Sequence, residues 1–324
     1  MMQQIIRQLK NSRHVLVATH ANPDGDALGS LIAMGLALET LQKTATLYNE
    51  SPIPAVYRFL PAVDMVSCEV ASSDIYDTAI ILDCGNFRRI GKAAEEITRI
   101  PAIINIDHHV TNTFFGDFQI IDIAACATAE ILYRLFKEMA LPITTEMATS
   151  IYTGILTDTG SFRFSNTNKA AFTICEEMVA CGVDPYRVAQ HVYGTYSLGR
   201  IKLLNRALDS IEISPNGKLS LMTLTDEMFE ETGTNPEDVD GLINYAKRIE
   251  DVKVAVLIHA HRNGERASDH PNLFHVSLRS DGSVDVARIA YAFGGGGHSS
   301  AAGFSIESSL ADLRLTVFDL AAKL

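Results

Sequence analysis

Three apolar runs in this chain end alike. Residues 14–19 (His-Val-Leu-Val-Ala-Thr) lead into His20-Ala21-Asn22-Pro23-Asp24-Gly25-Asp26, residues 78–82 lead to Asp83, and residues 101–106 lead to Asp107-His108-His109. A short run that is apolar at almost every position is the pattern of a strand buried on both faces, as in a parallel sheet. Residues 44–48 add a further strand. Between the strands lie helical segments, above all residues 27–41, rich in Leu, Ala, Ile and Met. Strands alternating with helices predict a mostly parallel, doubly wound sheet. Ligands of such sheets bind at the carboxyl ends of the strands, which is where the acidic and imidazole residues fall.

In the first of these loops Asn22-Pro23 breaks regular structure, and Gly25 allows a turn that a side chain would resist. His20, Asp24 and Asp26 then crowd one short segment. Two carboxylates held close repel unless a cation sits between them. An added imidazole makes a mixed nitrogen and oxygen set that suits manganese and related divalent ions. A helix N-cap accounts for one aspartate, but not for three such groups. Asp158 ends a further apolar helix predicted over residues 144–157. The full set is then His20, Asp24, Asp26, Asp83, Asp107, His108, His109 and Asp158. Eight groups exceed what capping needs. They fit a site where two divalent ions share a carboxylate and activate water for in-line attack on phosphorus.

Length and composition bound the rest. A chain of 324 residues with 47% hydrophobic content buries a sizeable core and suggests two domains. It has no apolar run of about 18 residues, so no membrane span is expected, and its amphipathic start lacks the pattern of a signal peptide. The net charge of -12 argues against a duplex-binding surface. Five cysteines without a C-x-x-C pattern read as free thiols in a reducing cytoplasm. There is no tryptophan, so any base stacking falls to Tyr, Phe or Arg.

Helices are predicted over residues 125–139, 168–181 and 185–192, and a connecting helix over 197–208 marks the domain junction. Beyond it the chain predicts a β-hairpin through Asn216-Gly217, a helix over 239–249, strands over 252–260 and 274–279, and a helix over 285–293. After Gly294-Gly295-Gly296-Gly297-His298 a last helix starts near residue 310, giving a smaller α/β domain. The four glycines read either as a flexible linker or as backbone that approaches a phosphate closely. Spacing alone leaves Arg279, on an alternating strand, equally well explained as solvated; Arg163 is singled out by its place just after Asp158, and Arg262, in a loop with His259 and His261, reads by default as part of a solvated polar face.

The ordered series H-x-N-P-D-G-D-A, D-C-G-N, D-H-H, T-D-T-G-S-F and G-G-G-G-H-x-x-A-A-G spans nearly the whole chain. It resembles the DHH/DHHA1 phosphoesterases. Within them the chain is most similar to the short bacterial oligoribonucleases that also act on 3'-phosphoadenosine 5'-phosphate. The resemblance implies a DHH catalytic domain over residues 1–195, a helical linker over 196–212 and a DHHA1 substrate-binding domain over 213–324, with hydrolysis in the cleft between them. It implies that His20 and Asp24 bind a first metal and Asp26, His108 and Asp158 a second, with Asp83 bridging. Asp107 would orient a histidine, and His109 would contact the scissile phosphate. Arg279, Gly295, Gly296, Gly297, His298 and Arg163 would hold substrate. Manganese is the expected ion, with magnesium or cobalt as alternatives. Substrates would be short RNA, dinucleotides or a nucleotide bisphosphate, and a homodimer is allowed. One departure is Cys126 in residues 124–130, where relatives place small hydroxyl residues. The rival readings are an exopolyphosphatase or pyrophosphatase, which needs no nucleoside, and a non-catalytic nucleotide-binding protein, which would lack a metal ligand.

Overall fold

In a computed structural model, which describes residues 2–194, 196–260, 272–322 and 324, the chain divides into two units, Met1–Thr195 and Tyr196–Leu324. The first unit is built on strands β1 (His14–Thr19), β2 (Thr44–Tyr48), β3 (Val66–Ser67), β4 (Thr78–Leu82), β5 (Ile103–Asp107) and β6 (Phe118–Ile121). They pair in the order β3-β2-β1-β4-β5-β6, all parallel. Its helices are α1 (Met2–Asn11), α2 (Gly25–Thr40), α3 (Ala94–Ile97), α4 (Thr128–Glu138), α5 (Thr145–Asp158), α6 (Lys169–Ala180) and α7 (Pro185–Tyr193).

The apolar runs follow from burial on both sheet faces. Val15, Val17, Ile80, Leu82, Ile104 and Ile106 pack with Leu28, Leu31, Ile131 and Ile151 from α2, α4 and α5. Leu16, Ala18, Ala79 and Ile81 face the other way, onto Ile90, Ile97 and Ile100. The chain winds outward from β1 to β3, then returns to start again at β4 on the opposite side of β1. The crevice at such a reversal is the ligand position of open α/β sheets, and here it lies between the ends of β1 and β4.

Helix α2 is buried along nearly its whole length and lies against α5. Glycines set that approach. A Cβ on Gly29 would come within 2.4 Å of Ser150 O, and one on Gly25 within 2.3 Å of Thr157 Oγ1. This corrects the role expected of Gly25. The left-handed residue of the loop is Asn22, with φ 55°, and Gly25 is needed for packing instead of for turning.

The second unit contains α8 (Leu198–Asp209), β7 (Glu212–Ile213), β8 (Leu219–Leu224), α9 (Asp226–Thr232), α10 (Ile243–Lys247), β9 (Val254–Ala260), β10 (Asn272–Ser280), α11 (Val286–Ala292), β11 (Gly296–His298), β12 (Ala301–Ser308) and α12 (Leu310–Ala321). Its sheet runs β11-β12-β10-β9-β8-β7. Only the β8–β9 pairing is parallel among those described. One face packs Val256, Ile258, Val276 and Leu278 with Val286 and Val317 of α11 and α12. The other packs Ala255 and Leu257 with Leu203 of α8, Phe229 of α9 and Ile243 of α10.

Two expectations change. The helix predicted over residues 239–249 is interrupted, because Gly241 adopts φ +80°, and only Ile243–Lys247 is α-helical. The four glycines are not a flexible linker. Gly296–His298 is a strand paired to β12, and a Cβ on Gly295 or Gly297 would sit 2.2 Å from Gly303 O or 2.5 Å from Ala301 O. Close backbone contact therefore explains two of them, whereas a Cβ on Gly296 would meet nothing within 4 Å. Among the described residues no helix is long and apolar enough to cross a membrane. His261 and Arg262 lie outside the described residues.

Candidate metal centre and active site

The carboxyl ends of β1, β4 and β5 deliver His20, Asp83 and Asp107-His108-His109 to one edge of the first sheet. Asp24 and Asp26 follow from the start of α2, and Asp158 from the end of α5. Ligand atoms of His20, Asp24 and Asp83 lie within 4.8 Å of one another, as do those of Asp26, Asp83 and His108, and those of Asp83, Asp107 and His109. Asp83 is common to all three groups. It takes that place with φ +53°, a left-handed conformation that costs a non-glycine residue about 1–3 kcal/mol and gathers at functional sites.

Backbone carbonyls aim His20 and His108. The Nδ1 atoms of His20 and His108 lie 2.9 Å from Ala21 O and 3.3 Å from Ala125 O. This turns each Nε2 toward carboxylates. His20 Nε2 stands 3.6 Å from Asp83 Oδ2. His108 Nε2 stands 3.6, 3.7 and 3.9 Å from oxygens of Asp83, Asp158 and Asp26. These separations are too long for hydrogen bonds. They match ligands around a shared divalent cation, which at bond lengths of ~2.1 Å stand about 3–4 Å apart. His109 differs. Its Nδ1 lies 2.7 Å from Asp107 Oδ1, as a carboxylate-oriented imidazole does.

Asp24 caps a helix and also stands in the cluster. Its Oδ1 caps α2 by accepting from Asp26 N at 3.1 Å and Ala27 N at 3.0 Å, yet it also belongs to the group with His20 and Asp83. Asp26 in turn caps another helix. The N-cap of α4 is Ala127, which has no side-chain acceptor. Asp26 replaces it, accepting from Thr128 N at 2.6 Å and Ala129 N at 3.0 Å. A carboxylate at a helix N-terminus is favoured by the exposed N–H groups there. Thr128 Oγ1 donates to Asp83 Oδ1 at 2.9 Å, so one helix start holds two candidate ligands. Cys126, just before it, is buried, and its backbone N–H donates to Glu130. Burial, reinforced by Glu130, pushes its thiol pKa up, so it sits there as a neutral thiol.

The buried aspartates of the cluster act on one another electrostatically. Burial, then the charges of Asp83 and Asp158, push the Asp26 carboxyl well above the usual range. Burial, then Asp24 and Asp83, do the same to Asp158. Burial opposes the charged form of Asp83, but His20, His109 and His108 hold its pKa low. For His20 and His108 burial also opposes charge, and nearby aspartates led by Asp83 outweigh it and raise both. A divalent cation among these groups would favour the deprotonated carboxylates and neutral imidazoles that serve as ligands.

Four residues that support the site have no signature of their own in the motifs. Besides Thr128 they are Asn166, whose Nδ2 donates to Asp158 Oδ2 at 2.9 Å, and Asn112 and Asn105, which lie behind Asp107. Asn105 did carry a signal, since an amide inside an otherwise apolar buried strand must find partners. Arg163 Nε donates to Gly160 O, bracing the loop after Asp158. In the second unit Arg279 is half-buried on β10 and pairs with Ala301, which on its other side pairs with His298. Burial lowers the Arg279 pKa, and the charge of Asp240 opposes that. Arg279, His298 and the open Gly296 thus share one end of the sheet.

A parallel α/β sheet carrying this cluster of carboxylates and imidazoles at its switch point defines a candidate divalent-metal site. The chain belongs to the DHH family: residues 14–155 match the DHH family N-terminal domain and residues 219–323 the DHHA1 domain. It is 32% identical over 293 residues to the bifunctional oligoribonuclease and PAP phosphatase NrnA of Thermus thermophilus, covering 90% of this chain and 84% of that protein. It is 27% identical to the protein of the same name from Bacillus subtilis, covering 94% and 93%. The crystal structure of an exopolyphosphatase-related protein from Bacteroides fragilis superposes with a TM-score of 0.88 at 24% identity, over 99% of this chain and 95% of that one, and so shares the fold.

Proposed function

We propose that this protein hydrolyses very short oligoribonucleotides and dinucleotides to mononucleotides, and 3'-phosphoadenosine 5'-phosphate to AMP. The observation that carries the reading is the complete cluster around Asp83, in a chain alike over nine-tenths of its length to a bifunctional oligoribonuclease and PAP phosphatase. His20 and Asp24 would hold one divalent ion, Asp26, His108 and Asp158 a second, with Asp83 shared. Manganese is the expected ion. Two such ions, when bound, supply an activated water and neutralise charge on the phosphoryl oxygens.

The chain's own groups do the rest. Asp107 holds His109 through Nδ1, so His109 Nε2 is the atom to meet the scissile phosphate. Thr128 fixes the shared carboxylate, and Asn166 fixes Asp158. Arg279, His298 and the backbone of Gly295, Gly296 and Gly297 receive the far end of the substrate, with Arg163 supporting the loop beside Asp158. Residues 1–195 form the catalytic domain, 196–212 the joining segment and 213–324 the substrate-binding domain. Five free thiols support a reducing, cytoplasmic setting. The test is Asp83→Ala. Turnover should vanish while the protein stays folded, and retained turnover with normal metal content would refute the shared-ligand assignment.

A further inference from the structure

Asn105 lies inside β5 with no exposed surface, and Asn112, in the loop after His109, is 6% exposed. Backbone groups dictate how each amide points. Asn105 Nδ2 donates to two carbonyls, Ile81 O at 3.2 Å and Cys84 O at 3.3 Å. Its Oδ1 must therefore face Asn112, from whose Nδ2 it accepts at 2.9 Å. Phe114 N donates to Asn112 Oδ1 at 2.6 Å. That leaves Asn112 Nδ2 as the end toward Asp107, where it also donates to Oδ2. Asp107 Oδ1 then receives His109 Nδ1. An ionised carboxylate only accepts, so the proton of this last bond belongs to Nδ1, and Nε2 is the ring nitrogen that would meet substrate.

The other end of the chain of bonds is as specific. Ile81 and Cys84 bracket Asp83, the residue in left-handed conformation. Three side chains thus connect the turn that carries the shared carboxylate to the ring of His109. We propose that Asn112, anchored by Asn105, is a positioning residue that acts on turnover through His109 by fixing the rotation and tautomer of its ring.

The inference rests on the reading that His109 contacts the phosphate, and a double-mutant cycle separates the two. Asn112→Ala, His109→Ala and the double variant are assayed on 3'-phosphoadenosine 5'-phosphate with manganese, beside manganese affinity and thermal unfolding. Asn112→Ala should lower kcat at least tenfold, with KM and manganese affinity within about twofold of the parent. In the His109→Ala background the same change should alter kcat less than twofold. An undiminished loss in that background, or a loss of manganese affinity, would overturn the proposal. A His109→Ala variant with normal kcat would overturn it too, and would trace the failure to the assignment of His109. Should Asn112→Ala not fold, Asn112→Ser carries the same cycle.

Discussion

Gly154 sits in α5 where α2 and α4 converge, and replacing it with alanine sets two effects against each other. Alanine in a helix interior is favoured over glycine by about 1 kcal/mol. The new Cβ, however, would lie 2.8 Å from Asp26 Oδ1 and 2.9 Å from the Cβ of Ala129, and 3.4 Å from Asp26 Cα. Neither close neighbour can yield cheaply. Ala129 Cβ belongs to a packed helix, and Asp26 Oδ1 is pinned by Ala129 N at 3.0 Å and Ser30 Oγ at 3.2 Å. Overpacking of this kind costs about 1–3 kcal/mol, and weakening the hydrogen bonds to Asp26 Oδ1 adds to it. The balance is a loss of about 1–2 kcal/mol, or roughly 3–6 °C in Tm for a unit of this size. Because Asp26 is the group displaced, manganese affinity should fall about tenfold or more, a difference of ~1.4 kcal/mol. Calorimetry and metal titration on Gly154→Ala read both. A raised Tm with unchanged affinity would show that α2 and α5 can separate, and would refute the packing argument.

Three further outcomes follow from the same geometry. In chelator the protein should lose stability as pH rises from about 5 to 8. Asp26 and Asp158 keep raised pKa values in the folded state, as do His20 and His108, so the native form holds protons that the unfolded chain releases. The lowered Asp83 and Asp107 act the opposite way, but only as pH falls below about 4. Manganese should flatten the slope, and a Tm that climbs from pH 5 to 8 in chelator would contradict this. Thr128→Val removes the hydroxyl from Asp83 while keeping the shape, and kcat should drop about tenfold on the scale of a bond to a charged acceptor; unchanged kcat would show that Asp83 needs no such support. Gly295→Ala should destabilise the second unit, whereas Gly296→Ala, in open space, should leave Tm alone and raise KM; equal effects on Tm would dismiss the distinction.

Much of the first unit was legible because burial on both faces of a parallel sheet leaves runs such as residues 79–82 with no polar residue before Asp83. The acidic and imidazole ends were legible for the same reason, standing out against apolar flanks. β6 was not, since Phe118–Ile121 is a short, half-buried edge strand containing a glutamine. β12 was hidden because Ala301, Ala302 and Gly303 carry no strand propensity, and close backbone packing against the glycines demands such small residues. The break at Gly241 was readable in principle, as a glycine inside a predicted helix. What sequence spacing could not give is which distant groups support the ligands. Thr128 and Asp83 are 45 positions apart, and Asp26 and Ala129 are 103 apart. Only folding makes a side chain of α2 the cap of α4.

The central claim is tested most directly by a parallel assay of the manganese-loaded protein on three substrates. These are a two-nucleotide RNA, followed by mononucleotide release, and 3'-phosphoadenosine 5'-phosphate and short polyphosphate, both followed by phosphate release. The account predicts turnover of both nucleotide substrates with polyphosphate left intact. Turnover of polyphosphate alone would contradict it, placing the metal centre correctly but assigning the second unit the wrong ligand.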